Sequence, residues 1–176
     1  MSEFKLMSLF KFCDGTDVYR KYAKKYKQHD VGYIILGPPG IGKTTYVQKD
    51  EKVIWERGEK KDWIDQDDLF RELGVKWSQN TENEEDFRLN YLRADYISEQ
   101  SKKLGFRLIG SLFWEYKADA IVIPEWSQHK KYVEKRGDLD ETMVLEVRKL
   151  LEEQSKKLNI PVFTTIEAAV AYLNKI

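Results

Sequence analysis

The sequence predicts an α/β fold, a three-layer α/β/α sandwich on a parallel sheet of about five strands. Three observations predict it. Short, nearly continuous apolar runs recur along the chain, as strands buried on both faces require. Longer amphipathic stretches separate them, and a Gly/Pro-rich turn joins the first apolar run directly to a helix. Strands separated by helices need crossovers, and right-handed crossovers place helices on both faces of the sheet.

Taken in order, the segment from Met7 to Gln28 sets Val18, Tyr19, Tyr22 and Tyr26 at helical spacing among lysines, which predicts an amphipathic helix packed on the domain. Val31 to Leu36 (VGYIIL) reads as the first buried strand, Gly37 to Thr44 as its turn, and Thr44 to Lys49 as the start of a helix. Asp62 to Asp65 ends a second strand, and Asp67 to Leu73 is a short helix with carboxylates at its N-terminus and Gly74 as its stop. Ser78 to Glu85 is polar and acidic and reads as a loop. Asp86 to Leu104 is a long helix ended by Gly105. Phe106 to Trp114 and Ala118 to Ile123 are strand candidates, the second stopped by Pro124. Trp126 to Arg136 is basic and helical in pattern. Asp138, with Glu141 three residues on, is expected to cap a helix running to Leu158. Pro161 to Thr164 is a last strand and Ile166 to Ile176 a closing helix.

Composition narrows the function classes. The 176 residues suit one domain with one sizeable core, divided as a helical extension over 1–30 and a main domain over 31–176. Lys plus Arg and Asp plus Glu both number 30, so no overall field draws the molecule to nucleic acid or an anionic membrane. The single Cys13 forms no internal disulfide, and with only His29 and His129 beside it no zinc cluster of soft ligands assembles. A reducing cytoplasmic setting is expected, as is an unprocessed chain without a membrane span, because no apolar run approaches roughly 18 residues.

The chemistry starts at GPPGIGKT, Gly37 to Thr44, which fits G-x-x-x-x-G-K-[ST] and lies after a buried strand and before a helix. Gly37, Gly40 and Gly42 let the loop turn tightly and present successive backbone N–H groups as a concave anion site. The candidate phosphate-binding set is Gly37, Pro38, Pro39, Gly40, Ile41, Gly42, Lys43, Thr44 and Thr45. Lys43 brings a point charge to the β- and γ-oxygens of a nucleoside triphosphate, while the Thr44 hydroxyl suits Mg2+. ATP with Mg2+ is therefore the expected cofactor pair.

Such a loop binds nucleotide without deciding its fate. DWIDQDDLFR, following the second strand, supplies carboxylates and an Arg one helical turn apart, the parts that orient an acceptor oxygen, take its proton and steady transferred charge. Asp65 is expected to end a strand beside the loop strand and so to face the γ-phosphate. An acidic helical N-terminus that only complements the helix dipole is the other reading of these residues.

Through GPPGIGKTT, WIDQDD, AIVIP and HKKYVEKR, in that order, the chain from Val31 to Ile176 resembles the P-loop kinase superfamily, which includes nucleoside monophosphate kinases, gluconate and shikimate kinases and polynucleotide 5′-kinases. The resemblance implies an ATP-dependent phosphotransferase. An Asp-x-Asp holding the metal shell and the acceptor maps onto Asp65 and Asp67, with Thr44 and Asp65 at the metal. The Asp-x-x-Arg of polynucleotide 5′-kinases maps onto Asp68 and Arg71, as general base and phosphate clamp; the two alignments compete for neighbouring residues.

The basic stretch after the fourth strand is similar to the lid of these kinases, at about 125–138, with Arg136 as the residue closing on the triphosphate and Gly137 as its joint. A solvated helical face is the plainer reading of that stretch. His129 is expected at the surface. Lys43, Asp65, Asp68, Arg71 and Arg136 form the catalytic set. Arg88 and Arg93 either bind an anionic acceptor, beside Asp67, or face solvent. Trp63, Phe87, Tyr91 and Trp114 read as packing residues that also have the shape to stack a base.

Departures from the family bear on the acceptor. The chain lacks the Asp-Gly-x-Pro-Arg of adenylate kinases and the Asp-Arg-Tyr/His of thymidylate kinases, and no Asp closes the Phe106 to Trp114 run, as a motor ATPase requires. A (deoxy)nucleoside monophosphate is the first expectation for the acceptor and a polynucleotide 5′-hydroxyl the second, with a switch or ATPase lacking an acceptor as the third. Excess Lys and Arg, which a strand-binding groove brings, are absent.

Overall fold

In a computed structural model, the structure describes residues 18–73, 84–111 and 117–176, with the side chains of 18–20 and 84–90 outside that description. The architecture is the expected α/β one, a five-stranded all-parallel sheet with helices between its strands. The strands are β1 (Ile34–Leu36), β2 (Trp63–Asp65), β3 (Arg107–Gly110), β4 (Ala120–Val122) and β5 (Val162–Phe163), ordered β2-β3-β1-β4-β5. The helices are α1 (Val18–Lys25), α2 (Lys43–Gln48), α3 (Glu51–Glu56), α4 (Gln66–Glu72), α5 (Glu84–Lys103), α6 (Trp126–Arg136), α7 (Glu141–Leu158) and α8 (Ile166–Lys175).

The described residues fall into two compact units. The one containing residues 33–49, 109–111 and 117–176 is built on β1, β4 and β5. Ile35 pairs with Ala120 and Leu36 with Ile121, while Ile121 pairs with Val162 and Val122 with Phe163. Ile34, Ile35 and Leu36 have no exposed surface, because a parallel strand is covered on both faces, and each contributes roughly 1.5–3 kcal/mol of burial. The Asp119 carboxylate accepts the Ile34 amide at 2.8 Å, fixing the start of β1. Leu151 of α7 and Ala169 and Leu173 of α8 complete this core.

The other unit contains residues 18–32, 50–73 and 84–108. Its core is Trp63, Ile64, Leu69, Phe70, Ala94, Ile97, Phe106 and Leu108, so Trp63 is a packing residue. The described part of the N-terminal helix packs here: the Tyr22 hydroxyl donates to Glu72 Oε2 at 2.6 Å, and the strand-like link after α1 exchanges backbone bonds with Lys61. Helix α3 has no counterpart in the sequence expectations. Asp50 in the left-handed region (φ 57°) breaks the helical run after α2, and six residues are too few for a readable hydrophobic period.

Three expectations need correction. Order β2-β3-β1 puts β3 between β2 and β1, so Asp65 does not end a strand adjacent to β1; the chain returns through α5 and inserts β3 there. Asp138 does not cap α7, because its carboxylate pairs with Arg136 at 2.9 Å, and Asp140 caps instead, accepting the Thr142 amide at 2.9 Å. The expected loop from Ser78 to Glu85 already belongs to α5 at Glu84 and Glu85. Residues 78–83, Gly74, residues 7–17 of the expected first helix and Trp114 lie outside the described residues.

Candidate functional site

The loop Gly37 to Thr45 leaves β1 at the point where the sheet extends both ways, towards β3 and β2 on one side and β4 and β5 on the other. Ligands of open parallel sheets gather outside the carboxyl ends of strands at such a switch point. The Gly37 amide donates to the Gly110 carbonyl at 2.9 Å, which anchors the start of the loop. A Cβ on Gly37 would run into the end of the Ile41 side chain and stand 3.1 Å from the Val122 carbonyl, so a larger residue here needs Ile41 to move. Gly40 (φ 81°) and Gly42 (φ 88°) take the left-handed conformation, and α2 starts directly after them.

Lys43 folds back across the loop. Its ammonium donates to the Gly37 carbonyl at 2.7 Å and the Pro38 carbonyl at 2.9 Å, so the charge is held over the loop rather than in solvent. Thr44 and Thr45 stand exposed in the first turn of α2, Pro38 is buried, and Pro39 and Ile41 are half-buried. The fold is P-loop NTPase-like.

Helix α6 is bound to the P-loop by a residue the sequence reading misplaced. His129 is fully buried, not at the surface. Its Nε2 lies 2.8 Å from the Pro39 carbonyl and its Nδ1 2.9 Å from Arg148 Nη1. A guanidinium only donates, so Nδ1 accepts from Arg148 and Nε2 carries the proton that bonds Pro39. Arg148 is held in turn by the Pro124 carbonyl at 2.8 Å and lies over the Trp126 ring at 5.3 Å. Burial holds His129 below the usual histidine range; the Arg148 and Lys43 cations act in the same direction and the Pro39 bond opposes them. The Gly40 Cα faces this helix: a Cβ there would meet Leu139 at 3.0 Å and Val133 at 3.2 Å. Nothing in a lone His within a basic stretch announces this role; only the packing of α6 and α7 reveals it.

Arg136, at the end of α6, is exposed and paired with Asp138, with Gly137 behind it at φ 74°. The acidic segment belongs to the other unit. Asp65 is buried and caps α4, accepting the Asp67 amide at 2.9 Å. Asp67 is exposed, and Arg71 Nη1 donates to Asp68 Oδ1 at 3.1 Å. Burial, with the adjacent Asp65 charge, lifts Asp68 above the usual aspartate range against the pull of Arg71. Arg93 is exposed, and its Nη2 donates to the Leu73 carbonyl at 2.6 Å, which ties α5 to α4. Arg88 lies on α5, with its side chain and that of Phe87 outside the described residues. The segment thus brings Asp65, Asp67, Asp68 and Arg71 together at the carboxyl end of β2.

No family model matches the chain. Two curated relatives from Arabidopsis thaliana do match a short stretch: AAA-ATPase At3g28520, 51% identical over 39 residues, and AAA-ATPase At3g28540, 49% identical over 39 residues. Each match covers 22% of this chain and 7% of the relative. Among the described residues no helix is long and apolar enough to cross a membrane.

Proposed function

We propose that the chain binds ATP with Mg2+ in the P-loop and transfers the γ-phosphoryl group to a small acceptor, a (deoxy)nucleoside monophosphate being the first choice. The observation that carries the nucleotide half of this reading is the Gly37 to Thr45 loop at the switch point of the sheet, with Lys43 held across it. The short likeness to two proteins named AAA-ATPases supports ATP as the nucleotide.

The loop's chemistry fits the pair. Bound MgATP supplies the phosphoryl group. Lys43 exchanges its carbonyl partners for phosphate oxygens, a trade between acceptors that keeps the ammonium bonded. Thr44, exposed in the first turn of α2, is the protein oxygen offered to Mg2+, which usually keeps waters and takes phosphate oxygens besides. On the acceptor side Asp68 takes the acceptor's proton, which its raised affinity for protons favours, and Arg71 steadies the transferred charge. Asp65 serves by capping α4, which sets the direction of Asp67 and Asp68. Arg136 is the lid candidate.

A second reading, ATP hydrolysis without an acceptor, is favoured by the names of the two relatives, both AAA-ATPases. Against it, Ser111 follows β3 where a motor ATPase carries an Asp. Incubation with γ-labelled ATP and a panel of nucleosides, nucleotides, sugars and a 5′-hydroxyl oligonucleotide decides between them. Label on a mononucleotide is the expected result; label on the oligonucleotide selects the polynucleotide alternative, and label in inorganic phosphate alone overturns the kinase reading.

A further inference from the structure

A cavity of about 400 Å3 opens within the unit that carries the acidic segment, a volume in the range of small-ligand sites. Its walls come from three helices: Lys25, Tyr22 and Tyr26 of α1 and its end, Trp55 of α3, and Asp68 and Arg71 of α4. The aromatic part is ordered by contacts among its own members. Tyr22 and Tyr26 stack with centroids 5.3 Å apart, Trp55 meets Tyr26 edge-on at 6.3 Å, and the Trp55 Nε1 donates to the Lys25 carbonyl at 3.2 Å.

Charge in this cavity is not evenly neutralised. Of its three carboxylates, Asp68 is paired with Arg71, Glu72 accepts the Tyr22 hydroxyl and lies 4.0 Å from Lys21, and Glu51 lies 3.7 Å from Lys61. Lys25 has no carboxylate within 4.0 Å among the described residues; its ammonium rests 4.8 Å from the Trp55 centroid. Behind the aromatic wall the Lys61 side chain is 5% exposed, its Nζ has no hydrogen-bond partner among the described residues beyond the Glu51 carboxylate at 3.7 Å, and it lies 5.3 Å from the Trp55 centroid and 5.8 Å from that of Tyr26. Ring surface backed by a buried cation and fronted by an exposed one is suited to a flat ring that carries an anion.

We propose that this cavity binds one nucleotide unit, its base against Tyr22, Tyr26 and Trp55 and its phosphate towards Lys25 and Arg71, so that the described N-terminal helix, and not Arg88 or Arg93, supplies the acceptor site. The inference rests on the kinase reading for the word acceptor, while binding to the cavity is independent of it. A free mononucleotide and the terminal nucleotide of an oligonucleotide present the same chemistry.

The test is calorimetric titration of the full chain, saturated with a non-hydrolysable ATP analogue, with AMP, GMP, CMP, UMP, their deoxy counterparts and a 5′-hydroxyl oligonucleotide. Adenosine and ribose 5-phosphate serve as half-ligands. At least one nucleotide binds, both half-ligands bind about tenfold or more weakly, and Lys25→Gln and Arg71→Gln each weaken nucleotide binding by about tenfold, the loss of one charge-assisted contact. Lys52→Gln, on α3 and outside the cavity wall, leaves it unchanged. Binding of the oligonucleotide alone, with the same sensitivity, assigns the cavity to a strand end. Absence of nucleotide binding, or binding indifferent to Lys25→Gln and Arg71→Gln, overturns the proposal even where the ATP analogue binds. If the analogue fails to bind, the P-loop reading falls, and the mononucleotide titration still judges the cavity.

Discussion

At the residue scale the account turns on side chains whose partners decide their chemistry. His129 joins Pro39 in the P-loop to Arg148 in α7, so His129→Ala leaves the half-buried Pro39 carbonyl without its partner and Arg148 Nη1 with the Pro124 carbonyl alone. We expect a loss of about 2–3 kcal/mol in urea unfolding and an ATP affinity about tenfold weaker, against near-parental folding for the exposed Lys131→Ala. The direction of the pH effect follows from the lowered proton affinity of His129. The unfolded chain takes up the proton first, near the ordinary value of about 6.5, so the stabilisation is complete above that value and is lost as pH falls through the folded-state value. The wild-type advantage over His129→Gln should therefore shrink on acidification below about pH 6.5 and stay flat above it. Asp68→Asn should lower phosphoryl transfer by about 10²–10⁴ while ATP binding persists, and should remove an acid limb lying above the ordinary aspartate range in the pH–rate profile. Transfer at the parental rate in both Asp68→Asn and Asp65→Asn would show that the acidic segment takes no part.

Among the elements, those with a clear stop or period were legible. The spans of α6 and α8, the buried β1 and β4 and the glycine turn between β1 and α2 follow from local sequence, because burial pattern and backbone geometry are written in neighbouring residues. Cap identity is subtler: Asp138 and Asp140 are both acceptable N-caps by type, and the ion pair with Arg136 removes the first from contention. Asp140→Ala should cost about 1 kcal/mol of stability in thermal or denaturant unfolding, and Asp138→Ala, losing only an exposed pair, under about 0.5 kcal/mol. Helix α3 stayed illegible, since its left-handed Asp50 entry and short length carry no periodic signal.

For the whole molecule, the α/β class was readable because alternating strand and helix patterns admit few topologies. Strand order was not. The expected adjacency of β2 and β1 failed because nothing local to either strand says that β3 will return between them. For the same reason the phosphate-binding loop was legible as a contiguous motif, whereas the His129–Pro39 bond and the aromatic cavity join residues 90 and roughly 30–50 positions apart and needed the fold. The equal numbers of basic and acidic residues also make a prediction: oligonucleotide binding, measured against salt, should show a shallow slope of about −0.7 to −1.4 in log K against log salt, the signature of one or two phosphate contacts on a single strand. A slope several times steeper would point to a strand-binding groove and favour the polynucleotide alternative.

The central claim is that the loop from Gly37 to Thr45 is a polyphosphate site completed by Lys43. Calorimetry of MgATP with the folded wild-type chain and with Lys43→Ala tests it most directly. We predict a single saturable site in the wild type that Lys43→Ala abolishes without unfolding the protein. No heat of association in folded wild-type protein, or undiminished binding in Lys43→Ala, would contradict it.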